Sequence, residues 1–329
     1  MKILVLGGTM FLGRAVARQA RDAGHDVVCA ARGESGQPVE GVAFVRVDRD
    51  RPDGLDALDG TFDAVVDVGR KPSHVRHAVA ALRGRAGHYT FVSSGSVYAD
   101  AATPGQTVAT APVMAPAEPG FDDPSVDAEA YGRCKVTCEQ FVTATFGTDA
   151  SFICRAGLIV GPEDPSGRFD YWVRRHARGG EILAPGAPED RVQVVDARDL
   201  ADWIIQAAER GLAGTLDGIS ASVSRQEFHR ALAEGAPSVH ELTWVPQEFL
   251  VEREVAPWSG PRSLPLWLLL PEFAGFLTRD AGPSLAAGLR TRPLAETVAD
   301  TRVALRDEPH RIGLTEEEEA GLLREWHAQ

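Results

Sequence analysis

The first thirteen residues constrain this chain most. Lys2–Leu6 (KILVL) reads as a buried strand of the kind found at the centre of a parallel sheet. It runs directly into GGTMFLG, and Phe11–Ala23 follows with helical periodicity until Gly24 stops it. A tight strand-to-helix turn needs the backbone freedom of Gly7 and Gly8, and Gly13 lets the helix lie close on the sheet. The N–H groups at the start of such a helix point at anything anionic in front of it. Glycine turns are common, but one between a strand and a helix at the head of a βαβ unit has the context of a dinucleotide site. Gly7, Gly8, Thr9, Phe11, Leu12 and Gly13 are the residues expected to hold the pyrophosphate.

The pattern continues as α/β. Strands are expected at Asp26–Ala31, Val42–Val47, Asp63–Val68, His88–Val92 and Ser151–Arg155. A Ser73-capped helix should end at Leu82, and another should span Glu129–Phe146. This alternation implies a Rossmann-type, doubly wound parallel sheet. Residues 99–128, rich in Ala, Pro, Asp and Thr, read as one long loop, a length that is unusual and often functional or mobile. Later the pattern loosens into a helix at Phe169–Arg178, a short strand at Val192–Val195 and a helix capped by Asp199. A Ser224–Glu227 capping box and an acidic helix with Glu316–Glu319 follow. The expected division is a dinucleotide-binding domain at 1–160 and a smaller substrate-binding part at 161–329, interleaved with it.

The formal net charge of −13 and the absence of a basic run argue against nucleic acid and anionic membranes as partners. No apolar stretch approaches the ~20 residues of a membrane span, and the N-terminus lacks a signal-peptide pattern, so a cytoplasmic protein is expected. Cys29, Cys134, Cys138 and Cys154 form no metal-binding spacing and read as reduced thiols, so no metal is expected.

An acidic residue at the end of the second strand would bond a ribose 2′-hydroxyl and select NAD, whereas an arginine would pair with a 2′-phosphate and select NADP. The sequence there is Ala30-Ala31-Arg32-Gly33, which favours NADP and leaves NAD open. Asp48 follows the third strand, either as an adenine contact or as a turn residue.

Tyr131 and Lys135 are four apart on one helix face. The chain holds only three lysines, so a lysine beside this tyrosine carries information. A free phenol has a pKa near ~10, and a nearby ammonium lowers it toward the range of a working acid/base. Ser93 and Ser94 end the fifth strand, where ligands of parallel sheets bind, and either hydroxyl could polarise a carbonyl oxygen.

GGTMFLG, SSGSVY, Tyr131-Gly-Arg-Cys-Lys135 and RAGLIVGP together resemble the extended short-chain dehydrogenase/reductase superfamily, in its NAD-dependent epimerase/dehydratase branch. The resemblance implies that Ser94, rather than Ser93, is catalytic with Tyr131 and Lys135, and that dimers form through the helices flanking the sheet. Later segments such as GRFDYWVRRHARGGEILAPG are similar to bacterial isoflavone-reductase-like proteins, with chloroplast stem-loop-binding proteins more distant. Two departures from the pattern bear on the substrate. Arg191 is out of register for gripping a sugar-nucleotide diphosphate, and Gly95 and Ser96 replace the acid/base pair of dehydratases.

The reading is an NADP-preferring oxidoreductase that moves a hydride between nicotinamide and a small-molecule carbonyl or alcohol. The alternatives are an epimerase with tightly bound NAD and a non-catalytic nucleotide- or RNA-binding scaffold. Tyr98, Phe169, Tyr171, Trp172, Arg198 and Trp258 are candidates to line the substrate site, and His176 reads as a surface or capped histidine rather than a catalyst.

Overall fold

The computed structural model describes residues 1–234, 239–305 and 312–329. Seven parallel strands form the central sheet. They are β1 (Lys2–Leu6), β2 (Asp26–Ala31), β3 (Ala43–Arg46), β4 (Phe62–Asp67), β5 (Ala86–Ser94), β6 (Ser151–Ala156) and β7 (Gly214–Gly218), in the spatial order β7-β6-β5-β4-β1-β2-β3. The order reverses between β1 and β4, the crevice where such sheets bind ligands.

Helices cover both faces. α1 (Phe11–Asp22) and α5 (Ala197–Arg210) close one, where Val16, Ala20, Leu200 and Ile204 pack on Ile3, Val5 and Cys29. α2 (Pro72–Leu82) and α3 (Ala128–Phe146) close the other, where Val75, Val79 and Val142 pack on Leu4, Leu6 and Tyr89. Full burial on both faces is why β1 and β6 are apolar almost throughout. The chain beyond residue 160 supplies α4 (Arg168–Arg178) and the parallel strand pair Gly180–Pro185 with His240–Val245. These surround a separate core that includes Trp172, Phe228, Val245 and Trp267. The same part sends β7 back to the edge of the central sheet, paired with β6. Among the described residues no helix is long and apolar enough to cross a membrane.

Three local expectations change. Ser73 does not cap α2: Pro72 starts the helix, and Ser73 donates its own N–H and its hydroxyl to Asp122, both at 2.6 Å. That bond ties down the 99–128 stretch, as do those of Met114 N to Val97 O and Ala117 N to Arg133 O. Asp196, not Asp199, caps α5, and Asp199 instead accepts from Arg292 at 2.7 Å. His176 is fully buried, not on the surface. Its Nε2 lies 3.0 Å from Nδ1 of His229, itself 1% exposed. Ser224 and Glu227 do exchange capping bonds, and so do Thr315 and Glu318 at the start of the acidic helix.

Burial, with His240 and Arg175 nearby, pushes His176 down to about 3. Burial also lowers His229 well below its ordinary value, with His176, Arg225 and His240 adding repulsion. Both are neutral in the native state, while the unfolded chain protonates them below about 6.5. Their contribution is therefore intact above pH 6.5 and lost as pH falls toward 3, at up to about 1.4 kcal/mol per pH unit per histidine. Urea unfolding at pH 7.5 and 5.5 should show this loss, and His229→Leu should flatten the pH slope whatever it does to stability at pH 7.5.

Candidate active site

The turn after β1 is built by close backbone approach. Gly7 has φ +94°, and a Cβ on Gly13 would lie 2.3 Å from the Gly7 carbonyl oxygen. A Cβ on Gly8 would strike Cys29 Sγ at 2.4 Å, so this glycine serves packing of the turn on β2. Leu12 is buried in the core, and Thr9 is 6% exposed. The α1 cap residue Met10 offers no side-chain acceptor, which leaves the first N–H groups of the helix open. They face a cleft of about 1300 Å³ lined by Thr9, Met10, Phe11, Arg14 and the stretch from Gly33 to Gln37. Arg14 lies there with Nε 3.4 Å from Glu163 Oε2 and Nη1 donating to Gln37 O at 2.9 Å. An uncapped helix start and a backbone that admits no side chain fit a pyrophosphate-bearing cofactor.

Arg32 lies half exposed at the end of β2, 3.3 Å from Asp50 and 3.6 Å from Glu34. Asp48 lines neither this cleft nor the neighbouring cavity. Its carboxylate accepts from Asp50 N at 3.1 Å and its N–H donates to Gly54 O, the bonds of a turn. The acid that matters beneath this edge is Asp67, fully buried, which accepts from Arg49, Tyr89 and Gly69 N.

Phe11 stands between the cleft and a second cavity of about 520 Å³ over the carboxyl ends of β5 and β6. Ser94, Ser96 and Tyr131 line it. Asp127 caps α3 by accepting from Ala130 N at 2.7 Å. Gly132 lets that helix press against the turn after β5: a Cβ there would sit 2.2 Å from Ser96 O. This approach brings Tyr131 to the same cavity as Ser94. Ser93 is committed elsewhere, donating to Glu139 at 2.5 Å. Ser94 Oγ accepts from Ser96 N at 3.1 Å and lies 3.2 Å from Ser96 Oγ. Lys135, 2% exposed, sits one helical turn below Tyr131 and donates to Gly69 O at 2.7 Å and Val92 O at 2.6 Å. Its ammonium also lies 4.5 Å from the centre of the Phe91 ring.

The cavity floor is a charge-balanced polar layer that the sequence reading missed. Arg155 donates to Glu139 through Nε and a terminal nitrogen, at 3.0 and 2.7 Å. Arg279 donates to Asp217 at 2.8 Å, and Tyr98 donates to the other oxygen of Asp217 at 2.6 Å. Burial and the Asp217 charge raise the Tyr98 phenol well above its usual value, so it stays protonated as a donor. Arg155, in a strand otherwise apolar apart from Ser151 and lying at the carboxyl edge of the sheet, was the available signal.

Of the substrate-side candidates, Tyr98 and Trp258 line the cavity. Phe169, Tyr171 and Trp172 do not: all three belong to the second core, 0 to 5% exposed, because α4 turns its aromatic face inward. Arg198 is tied to Asp196 and Asp300 and also lies off the cavity. Among the described residues no cluster of His, Cys, Asp or Glu could hold a metal ion, and all four cysteines are buried thiols.

The model of the NAD dependent epimerase/dehydratase family matches residues 3–82 and 76–217, more than half of the chain. The chain belongs to that family. It is thus an NAD(P)-dependent enzyme of the short-chain dehydrogenase/reductase type. Its fold is shared with a candidate epimerase from Burkholderia cenocepacia, at 20% identity and TM-score 0.69, with 92% of this chain and 97% of the other covered. It is shared too with the UDP-N-acetylglucosamine 4-epimerase of Bacillus cereus, at 16% identity and TM-score 0.68, with 94% and 99% covered. The UDP-glucose 4-epimerase of Thermus thermophilus, solved with NAD, follows at 19% identity and TM-score 0.64, with 94% and 100% covered. No curated protein sequence matches the chain.

Gly132→Ala should force α3 away from Ser96 and destabilise the protein by about 1–3 kcal/mol, as overpacking does. A urea midpoint equal to that of the wild type would contradict this account of how Tyr131 is placed.

Proposed function

We propose that this family member is an oxidoreductase acting on a small-molecule carbonyl or alcohol, with Tyr131 as general acid/base, Ser94 orienting the reacting oxygen, and Lys135 supporting both. The observation that carries it is the convergence of Ser94 and Tyr131 on one cavity that adjoins the dinucleotide cleft across Phe11. When bound, the nicotinamide supplies or accepts the hydride. Tyr131 delivers the proton to the substrate oxygen in reduction and removes it in oxidation. Ser94 is held by Ser96 N and offers its hydroxyl to that oxygen as charge builds there. Lys135 has two of its three N–H bonds fixed by Gly69 O and Val92 O, which leaves one for a ribose hydroxyl or the tyrosine side.

Tyr131→Phe should lower kcat by about 10²–10⁴-fold, the usual weight of a general acid/base, with the cofactor Kd within about twofold of wild type. Retained turnover would overturn the assignment.

The proposed cofactor preference is NADP, carried by Arg32. Because Arg32 already faces Asp50 and Glu34, a 2′-phosphate must compete with two carboxylates, and the expected preference is modest, about tenfold. Fluorescence titrations with NADPH and NADH should show that ratio, and Arg32→Ala should bring it to about one or below.

A second reading is favoured by the family match: an epimerase that keeps its cofactor and returns the hydride to the same substrate. Cofactor that copurifies and is not consumed during turnover would select it over the reductase.

A further inference from the structure

The charges around the 520 Å³ cavity do not all cancel. On its floor, Arg279 is matched by Asp217 and Arg155 by Glu139. Asp100, near the rim, spends its carboxylate on Ala102 N, Thr103 N and Gln106 Nε2. Two further arginines line the same space. Arg168, at the start of α4, makes one side-chain hydrogen bond, from Nε to Ser166 Oγ at 3.3 Å, and among the described residues no carboxylate lies within 4 Å of its guanidinium. Arg70, just after β4, is exposed and has neither a hydrogen bond nor an ion pair among the described residues.

Arg168 is nevertheless held in place. Its guanidinium lies 4.5 Å from the centre of the Trp258 ring. Trp258 has φ +71°, a left-handed conformation that a tryptophan adopts only when its surroundings enforce it. Its ring packs edge-on against Phe276 at 5.7 Å. A planar cation stacked on a fixed aromatic ring, with its terminal N–H groups left unpaired at a cavity wall, is preorganised for an anion. Asp164 also lines the cavity, and its charge acts on Arg168. It accepts from Ser166 N and Oγ, and burial raises its pKa, which weakens its pull on Arg168. Tyr131 lines the same cavity as Arg168, so an anion bound at Arg168 would share that space with the proposed acid/base.

We infer that the cavity takes a small substrate bearing an anionic oxygen group, a carboxylate or a phosphate, held by Arg168 and Arg70 while its reacting carbon faces Ser94 and Tyr131. This rests on the oxidoreductase reading for the reaction, but the binding site is judged separately.

The test is calorimetric titration of the enzyme saturated with NADPH, which fills the pyrophosphate cleft. The probes are benzoate, phenyl phosphate and, as the neutral isostere, benzamide. One of the anions should bind at least about tenfold more tightly than benzamide, the weight of a charge-assisted bond to arginine. Whichever anion binds more tightly identifies the group. Arg168→Gln and Arg70→Gln should each remove most of that margin, and Arg168→Lys, which keeps the charge without the fork, should keep part of it. Thermal denaturation of each variant separates loss of binding from loss of fold. Equal binding of all three probes, no binding of either anion, or a margin that survives in the folded double Gln variant would overturn the inference. Turnover is not read in this experiment. Failure of the Tyr131→Phe prediction would remove the oxidoreductase reading and leave the anion margin to stand or fall alone.

Discussion

A buried ammonium organises this molecule. Lys135 comes from α3, yet its two short bonds end on carbonyls just beyond β4 and near the end of β5. Carbonyl oxygens at the carboxyl edge of a parallel sheet have no further strand partner, and an unpaired buried charge is costly. The lysine satisfies both needs and pins a helix across two strands at the point where the sheet opens toward its ligands. Tyr131 inherits its place from that anchor and from the bare contact of Gly132 with Ser96 O. Removing either constraint would leave the tyrosine on a helix free to slide.

A second layer of buried charge, below the cavity, does different work. The Arg155–Glu139 pair joins β6 to α3, the Arg279–Asp217 pair spans 62 residues, and Tyr98 lies against both guanidinium groups. Such pairs add little net stability, because desolvation offsets attraction. Their value is definition: they fix a polar floor in which each guanidinium is matched by a carboxylate, so a ligand meets unmatched charge only at the walls.

What could be read from the sequence was local. The turn after β1, the helix expected at Glu129–Phe146 and the pairing of Tyr131 with Lys135 are each set by neighbours within a few residues, and spacing exposes them. The aromatic run Phe169–Trp172 was ambiguous, since a helix face that packs a core and one that lines a pocket have the same composition and period. β7 escaped because GTLDG carries no apolar run; an edge strand half covered by its neighbour needs none. His176 escaped because its partner His229 is 53 residues away. Arg168 and Arg70 were unremarkable as letters, and only the tertiary arrangement reveals which arginines have been left without a carboxylate.

The roof of the cavity comes from late in the chain. Gly275 N bonds Ala101 O, Gly105 N bonds Thr278 O, and a Cβ on Gly275 would lie 2.3 Å from Thr103 O. The central sheet is complete once β7 has been synthesised, some forty residues before Trp258 leaves the ribosome. Ser94, Tyr131 and Lys135 are thus assembled on a finished scaffold while the chamber above them is still open to water. Closure joins segments about 170 residues apart, a slow, high-separation step. In a nascent chain, the ability to bind the dinucleotide should therefore precede the ability to discriminate what is offered to it.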